Sequence, residues 1–213
     1  SDTLNAFAGL WLARADRLQG AGRRKALREA RRCCRRALLC TRNAIGWLPE
    51  TQRLQGTLAW LYGQRAAAGN HWRRSLATAD RHGMPIEHTR TLLEMGARLG
   101  DAALVEEARQ VFEQTGAKVD LAVSLHALAR MAAAADIDTG AALPRYDEAI
   151  GALDAVKAEY DLGLACRERA QLLANLGRHN EAIADLARAR HCFASVGADA
   201  ERIATEKMAL TPA

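Results

Sequence analysis

The chain has 213 residues, 49% of them hydrophobic and 26% charged, with only four prolines and 5% aromatics. That balance suits amphipathic helices and argues against a sheet protein. No apolar run approaches the roughly 20 residues that span a bilayer, and no basic segment followed by a hydrophobic one opens the chain, so a soluble, cytoplasmic protein without membrane contact is expected.

Net charge is +5, but it is unevenly spread: residues 1–100 hold 18 Lys or Arg against 7 acids, a balance of +11, and the remaining residues carry −6. In chain order, apolar segments with helical spacing alternate with short Gly, Asn, Asp or Pro signals, and almost nothing alternates with period two. About eleven helices are predicted. Their punctuation falls at Gly20-Ala21-Gly22, Gly46 to Pro49, Gly69-Asn70, Gly83-Met84-Pro85, Gly100-Asp101, Gly116, Asp136 to Pro144, Glu159 to Asp161, Gly177 and Gly197. Glycine past a helix end and proline at the next start are the expected stop and start residues. The helix after Gly22 can run to about Arg42, roughly 30 Å at 1.5 Å per residue, so the first pair is long for a cap.

Taking alternate turns together, Gly69 to Gly100 spans 31 residues and Gly83 to Gly116 spans 33, with later units longer. This is the spacing of helix-pair repeats, each of which removes its apolar flank from water by stacking on its neighbours. The clearest unit, residues 164–197, reads LACRERAQLLANLGRHNEAIADLARARHCFASVG. It resembles a tetratricopeptide repeat, with small Ala170 at the helix crossing, Leu173 one turn later, Gly177 at the turn, and Ala182, Leu186 and Ala189 on the second helix. The resemblance implies an all-α, right-handed superhelical solenoid of about five helix pairs plus a terminal capping helix. The expected single domain, 1–213, contains an atypical first pair at 3–42, repeats near 50–83, 85–116, 117–158 and 160–197, and a capping helix at 198–210. Two further phrases, LQGTLAWLYGQRAAAGNHWRRSLATADRHGMPIEHTRTLLEMG and ARARHCFASVGADAER, resemble the C-terminal helical regions of large bacterial signalling proteins. In those proteins a kinase, cyclase or transcription-factor module is joined to a signal-transduction ATPase.

The strongest local chemical feature is the series Arg24, Arg28, Arg31, Arg32 and Arg35, flanked by Lys25 and Arg36. At 100° per residue these cover one arc of a helix, and Ala26, Leu27, Ala30, Cys33, Cys34, Ala37 and Leu38 fill the opposite arc. The cationic arc is either a solvated outer face or a dock for an acidic protein surface; phosphate is a further possibility, because guanidinium groups bind carboxylate and phosphate bidentately. Nucleic acid ranks last, since no aromatic lies between Arg23 and Arg42 to stack on bases.

A second candidate surface comes from the first helix of each pair, which lines the concave side of such arrays. Arg167, Gln171 and Asn175 keep one strip by their spacing of four, and Arg90, Glu94 and Arg98, with His126 and Arg130, occupy comparable positions. These residues either bind an extended peptide or line a hydrated groove.

Catalysis has little support. The six histidines form no HExxH or nucleophile signature, and Gly20-Ala21-Gly22 lacks P-loop spacing and a preceding strand, so it reads as a turn. Cys33, Cys34 and Cys40 read as packing residues in preference to a redox cluster, and His82 and His88 across a turn are too few for a metal site. The tryptophans are expected in the core, with Trp47 the one to expose a ring. The expectation is therefore a non-enzymatic interaction and regulatory module of a bacterial signalling or transcription-regulatory protein, with no cofactor or metal. Its partner would be a protein or peptide segment, or another domain of the same parent chain, bound through the concave helix faces. A small-ligand sensor and a phosphate-backbone binder are the alternatives.

Overall fold

The computed structural model describes residues 2–41, 45–135 and 139–208. Among them are eleven α-helices and no strand: α1 (Asp2–Arg17), α2 (Gly20–Cys40), α3 (Leu48–Leu61), α4 (Arg65–Arg81), α5 (Pro85–Leu99), α6 (Ala102–Thr115), α7 (Lys118–Ala134), α8 (Thr139–Ala155), α9 (Glu159–Asn175), α10 (His179–Ser195) and α11 (Asp199–Glu206). A short 3-10 turn, Ile45–Trp47, precedes α3. No described helix is long and apolar enough to cross a membrane.

Gly69-Asn70, expected as a turn, lies inside α4, and the break falls instead at Tyr62 to Gln64, so the 31-residue spacing from Gly69 to Gly100 does not mark a repeat; Glu159 to Asp161 forms the first turn of α9, with the break at Val156 to Ala158. Two other expected turns are narrower than the sequence suggests. Gly20 is already the first residue of α2, so only Leu18 and Gln19 lie outside helix there. The break expected from Asp136 to Pro144 does not extend to the proline, which lies inside α8. It is the sixth residue of that helix, where its missing N–H removes one ladder bond to the first turn. Residues 136–138 lie outside the described residues, as do Arg42 and the end of the expected capping helix beyond Met208.

Most helix ends share one closure. The amide two residues beyond the last turn reaches back five residues, as in Gln64 N–H to Ala59 (2.9 Å), Met84 to Ala79 (2.9 Å), Arg178 to Leu173 (2.9 Å) and Ala198 to Phe193 (2.8 Å). This bond requires the residue before the donor to be left-handed, and glycine supplies that at Gly63, Gly83, Gly177 and Gly197. The closure of α8, from Ala158 N–H to Leu153 (3.0 Å), is made instead with Lys157 at φ 55°. A side chain costs about 1–2 kcal/mol in that conformation. Lys157→Gly is therefore expected to raise stability by about 0.5–1 kcal/mol, read as a higher urea midpoint at unchanged m-value.

The chain divides into two compact units, Ser1–Arg98 and Leu99–Ala213. In the first, Ala8, Leu12 and Ala15 of α1 meet Ala26, Leu27, Ala30 and Cys34 of α2 and Leu54, Leu58 and Leu61 of α3 in one apolar cluster. Small residues on the facing stripes of α1 and α2 let the two backbones approach. A buried polar set fastens α1 to the start of α3: Thr51 Oγ1 donates to Asn5 Oδ1 (2.9 Å), and Asn5 Nδ2 donates to Glu50 (2.9 Å). Trp72 of α4, only 1% exposed, lies flat against Gly56 of α3 and tilts onto Trp60 at 5.7 Å between ring centroids. Ser75 continues that seam, donating to the Pro49 carbonyl (2.7 Å) and bonding the Thr91 hydroxyl of α5 (2.9 Å).

In the second unit, α9 and α10 close on Ala170 and Ala182, both fully buried, with Leu186 beside them. Phe193 covers Gly163, where an added Cβ would meet the ring at 2.8 Å, and Tyr160 meets Phe193 edge-on at 5.9 Å. The same three roles recur along the chain. Gly56, Ala68 and Trp72 have the spacing of Ala170, Ala182 and Leu186, and Ala129, Ala142 and Tyr146 repeat it with one extra residue between the helices. Two small residues at a crossing followed by a large one a turn later therefore describe three of the helix pairs.

The charged pair at the centre of this unit is Arg169 with Asp185. Arg169 donates through Nε and Nη2 to the two carboxylate oxygens, each at 2.7 Å, and also pairs with Asp147 of α8. Asp185 is buried, so one guanidinium ties together α8, α9 and α10.

Candidate functional site

The first-helix strip is built differently in the two units. In the first unit, Arg90, Glu94 and Arg98 lie on one side of α5, as their spacing predicts, but each is held by neighbours. Glu94 Oε1 accepts from Thr57 Oγ1 of α3 (2.7 Å) and from Arg98 Nε (3.0 Å), and Arg98 Nη1 reaches Asp16 of α1 (2.8 Å). Arg90 pairs with Glu87 (2.7 Å), which also meets Arg53 of α3 (3.4 Å). Burial opposes the charge on Arg98, but Glu94 and Asp16 outweigh it and raise its pKa. The strip here is a cross-brace of α1, α3 and α5.

In the second unit, His126 is buried and its Nε2 meets Glu168 Oε2 at 2.8 Å. Arg130 reaches the same carboxylate at 3.5 Å, and the Tyr146 hydroxyl donates to it at 3.4 Å. Glu168 is the hub that sequence reasoning missed. Nothing distinguishes it from its neighbours Arg167 and Arg169 until the helices are packed. Arg167, expected on the strip, instead lies with its guanidinium 5.5 Å from the centre of the Phe193 ring. Gln171 and Asn175 are exposed and make no hydrogen bond among the described residues.

Burial pushes the Glu168 pKa up, but the His126 hydrogen bond and the positive charges of His126, Arg130 and Arg167 pull it down further, and the net shift is downward. A carboxylate with a depressed folded pKa stabilises the fold above its unfolded pKa, and that stabilisation disappears as pH falls through the folded value. Glu168→Gln is therefore expected to lose stability at pH 7 and to show a shallower decline than the parent below about pH 4.5. Urea midpoints of the two proteins across pH 3–7 measure the difference.

The basic face of α2 contrasts with both strips. Arg24, Arg28, Arg31, Arg32 and Arg35 are all exposed, and only Arg32 has an ion pair, with Glu29 of the same helix at 3.2 Å. Arg24, Arg28, Arg31 and Arg35 have none among the described residues. The opposing arc carries the expected apolar residues with one exception, Leu38, which is exposed. The surface is not flat. A hollow of about 570 Å³ is lined by Lys25, Arg28, Arg31 and Arg35, by the Glu29–Arg32 pair and by Tyr62, just past the end of α3. A second hollow, of about 330 Å³, shares Arg31, Arg35 and Tyr62 and is floored by Cys34, Leu58 and Ala59, with Gln55, Gln64 and His71 around it. Desolvation, aided by Arg74, lowers the His71 pKa. Tyr62 is 42% exposed. It supplies the aromatic that α2 itself lacks, and only the α2–α3 packing brings it there.

The remaining sequence candidates carry less chemistry. Burial pushes the thiols of Cys34 and Cys166 up to about 12 and that of Cys192 up to about 11, and it raises Cys33 as well. Desolvation therefore dominates the nearby arginines at Cys33 and Cys34, whereas Cys40, also expected to pack, is exposed. His88 is turned toward Asp80. No group of three or more His, Cys, Asp or Glu is placed to hold a metal among the described residues. Trp72 is buried, Trp11 and Trp60 pack against the first-unit core, and Trp47 is 40% exposed although its carbonyl is anchored by Thr51 (2.9 Å).

No protein-family model matches the chain, and no curated protein matches it at a significant level.

Proposed function

We propose that this chain is a non-catalytic interaction and regulatory module, a superhelical solenoid of tetratricopeptide-like helix pairs from a bacterial signalling or transcription-regulatory protein. The recurring small-small-large crossing positions, the shared glycine closures and the repeat spacing support the architecture. One observation carries the functional reading: Arg24, Arg28, Arg31 and Arg35 of α2 stand exposed with no ion pair among the described residues, the last three along a hollow whose one acid, Glu29, is bonded to Arg32, whereas the charged residues of the expected concave strips are mostly consumed by bonds within the fold. Charges already paired inside a protein offer little to a partner, because an incoming group must first break those pairs. The principal docking surface is accordingly the α2 face, and the chemistry it recognises is that of an acidic polypeptide, either a separate protein or a neighbouring domain of the parent chain.

Competing ligand classes give the test. Labelled poly-L-glutamate, a duplex DNA of about 20 base pairs and succinate are titrated into the full chain across a range of salt. The expected result is that polyglutamate binds more tightly than the duplex and that succinate does not bind measurably. A flexible polypeptide can set successive carboxylates on arginines spaced along one helix, whereas a rigid duplex brings only a few phosphates to that face. Tighter binding of the duplex, with an affinity falling linearly in log salt, transfers the surface to nucleic acid. Succinate binding at comparable strength transfers it to small-ligand sensing.

A further inference from the structure

Resting on that reading, we infer that the α2 face is a seat for an acidic amphipathic helix lying along α2, its carboxylates on Arg24, Arg28, Arg31 and Arg35 and an apolar side chain in the hollow beside Tyr62. The spacing of the arginines carries the argument. They are four, three and four residues apart, the repeat by which one helix keeps a seam facing another. Their span along the axis is about 16.5 Å, in steps averaging about 5.5 Å. A partner helix with acids at the same intervals advances by the same steps, so all four charges stay opposite one another. An extended peptide presents same-face residues about 6.6 Å apart and slides roughly 3 Å out of register across that span.

The side chains agree with the spacing. Guanidinium groups take carboxylates bidentately, so register matters more to them than to lysine. The single acid among these positions, Glu29, is already bonded to Arg32 and does not neutralise the other four. The hollow floored by Leu58 and Ala59 and edged by Tyr62 gives the seat an apolar element at one end. A purely anionic partner would leave it unfilled, and an amphipathic helix fills it. Exposed ion pairs are individually weak, so specificity comes from several formed together in register with one apolar anchor.

Two peptides of identical composition test this against the full chain. Each has about 16 residues, alanine-based, with four glutamates and two leucines. One places the glutamates at intervals of four, three and four; the other distributes them around the helix. Anisotropy titration is expected to give the patterned peptide at least tenfold tighter binding than its isomer, and far-UV circular dichroism of the complex an increase in helix. Arg28→Gln with Arg31→Gln is expected to remove that preference, and Tyr62→Ala to weaken the patterned peptide severalfold while leaving the salt dependence unchanged. The replaced side chains are exposed, so an unchanged melting temperature establishes that the variants are folded. Equal affinity for the two peptides overturns the helix seat, and so does persistence of the preference in the double arginine variant. Polyglutamate, which is a coil at neutral pH, separates the two levels of argument. Binding of polyglutamate without discrimination between the peptides refutes the helix alone, and absence of binding by all three refutes the acidic-partner reading itself.

Discussion

Gly56→Ala is expected to destabilise the protein by about 2 kcal/mol, even though alanine is the better helix former. A Cβ on residue 56 would fall inside the van der Waals envelope of the Trp72 indole nitrogen, and the indole is a rigid ring with almost no exposed surface. Relief requires moving α4 away from α3 or driving Trp72 into Trp60, and overpacking of that kind costs roughly 1–3 kcal/mol or somewhat more for a rigid ring. The gain of about 1 kcal/mol in helix propensity offsets only part of it. Gly69→Ala in the facing helix is the control. Nothing lies within 4 Å of a Cβ there, so the propensity gain stands alone and stability rises by about 0.5–1 kcal/mol. Opposite signs from two glycines of one helix pair, measured by urea denaturation, are the expected outcome.

Asp185→Ala is expected to cost more, about 2–4 kcal/mol, because it removes both bidentate bonds and leaves the largely buried Arg169 guanidinium with only the exposed Asp147 as a partner. The bidentate bonds to Asp185 are the main cause of the raised Arg169 pKa, ahead of the opposing effect of burial; without them the guanidinium still stays charged, because arginine holds its proton far above neutral pH. Replacing both residues together, Asp185→Leu with Arg169→Met, removes the stranded charge as well as the bonds. That double variant is expected to recover most of the lost stability, a coupling that a double-mutant cycle measures directly.

The helices themselves were legible because their signals are local. The glycine turns, the 3.6-residue apolar spacing and the small residues at the crossing in 164–197 each act within one or two helices. Lys157 shows the limit of such signals: the closure after α8 has the same hydrogen bond as those made with glycine, but no residue type announces it. The α2 face was legible for the same reason, since one helix displays its own arc. Tyr62 was not, because it reaches that face from the end of another helix. The strip residues were placed on the right helices by their spacing, yet spacing carries no information about partners. Asp16, Thr57 and Glu168 occupy Arg98, Glu94 and His126 from distant points in the chain, and that pairing converts expected binding residues into braces. Arg167 illustrates the same limit, since its guanidinium lies by the Phe193 ring, 26 residues further along.

The central claim is that partners dock on the cationic face of α2 and not on the exposed end of the α9 strip. Two variants of the full chain decide between them when titrated with labelled polyglutamate at physiological salt: Arg28→Gln with Arg31→Gln and Arg35→Gln, and Gln171→Ala with Asn175→Ala. At least a tenfold loss of affinity is expected in the arginine variant, with its melting temperature unchanged, and parental affinity in the Gln171/Asn175 variant. The reverse pattern, with binding intact after the arginines are neutralised and lost from the α9 positions, would contradict it.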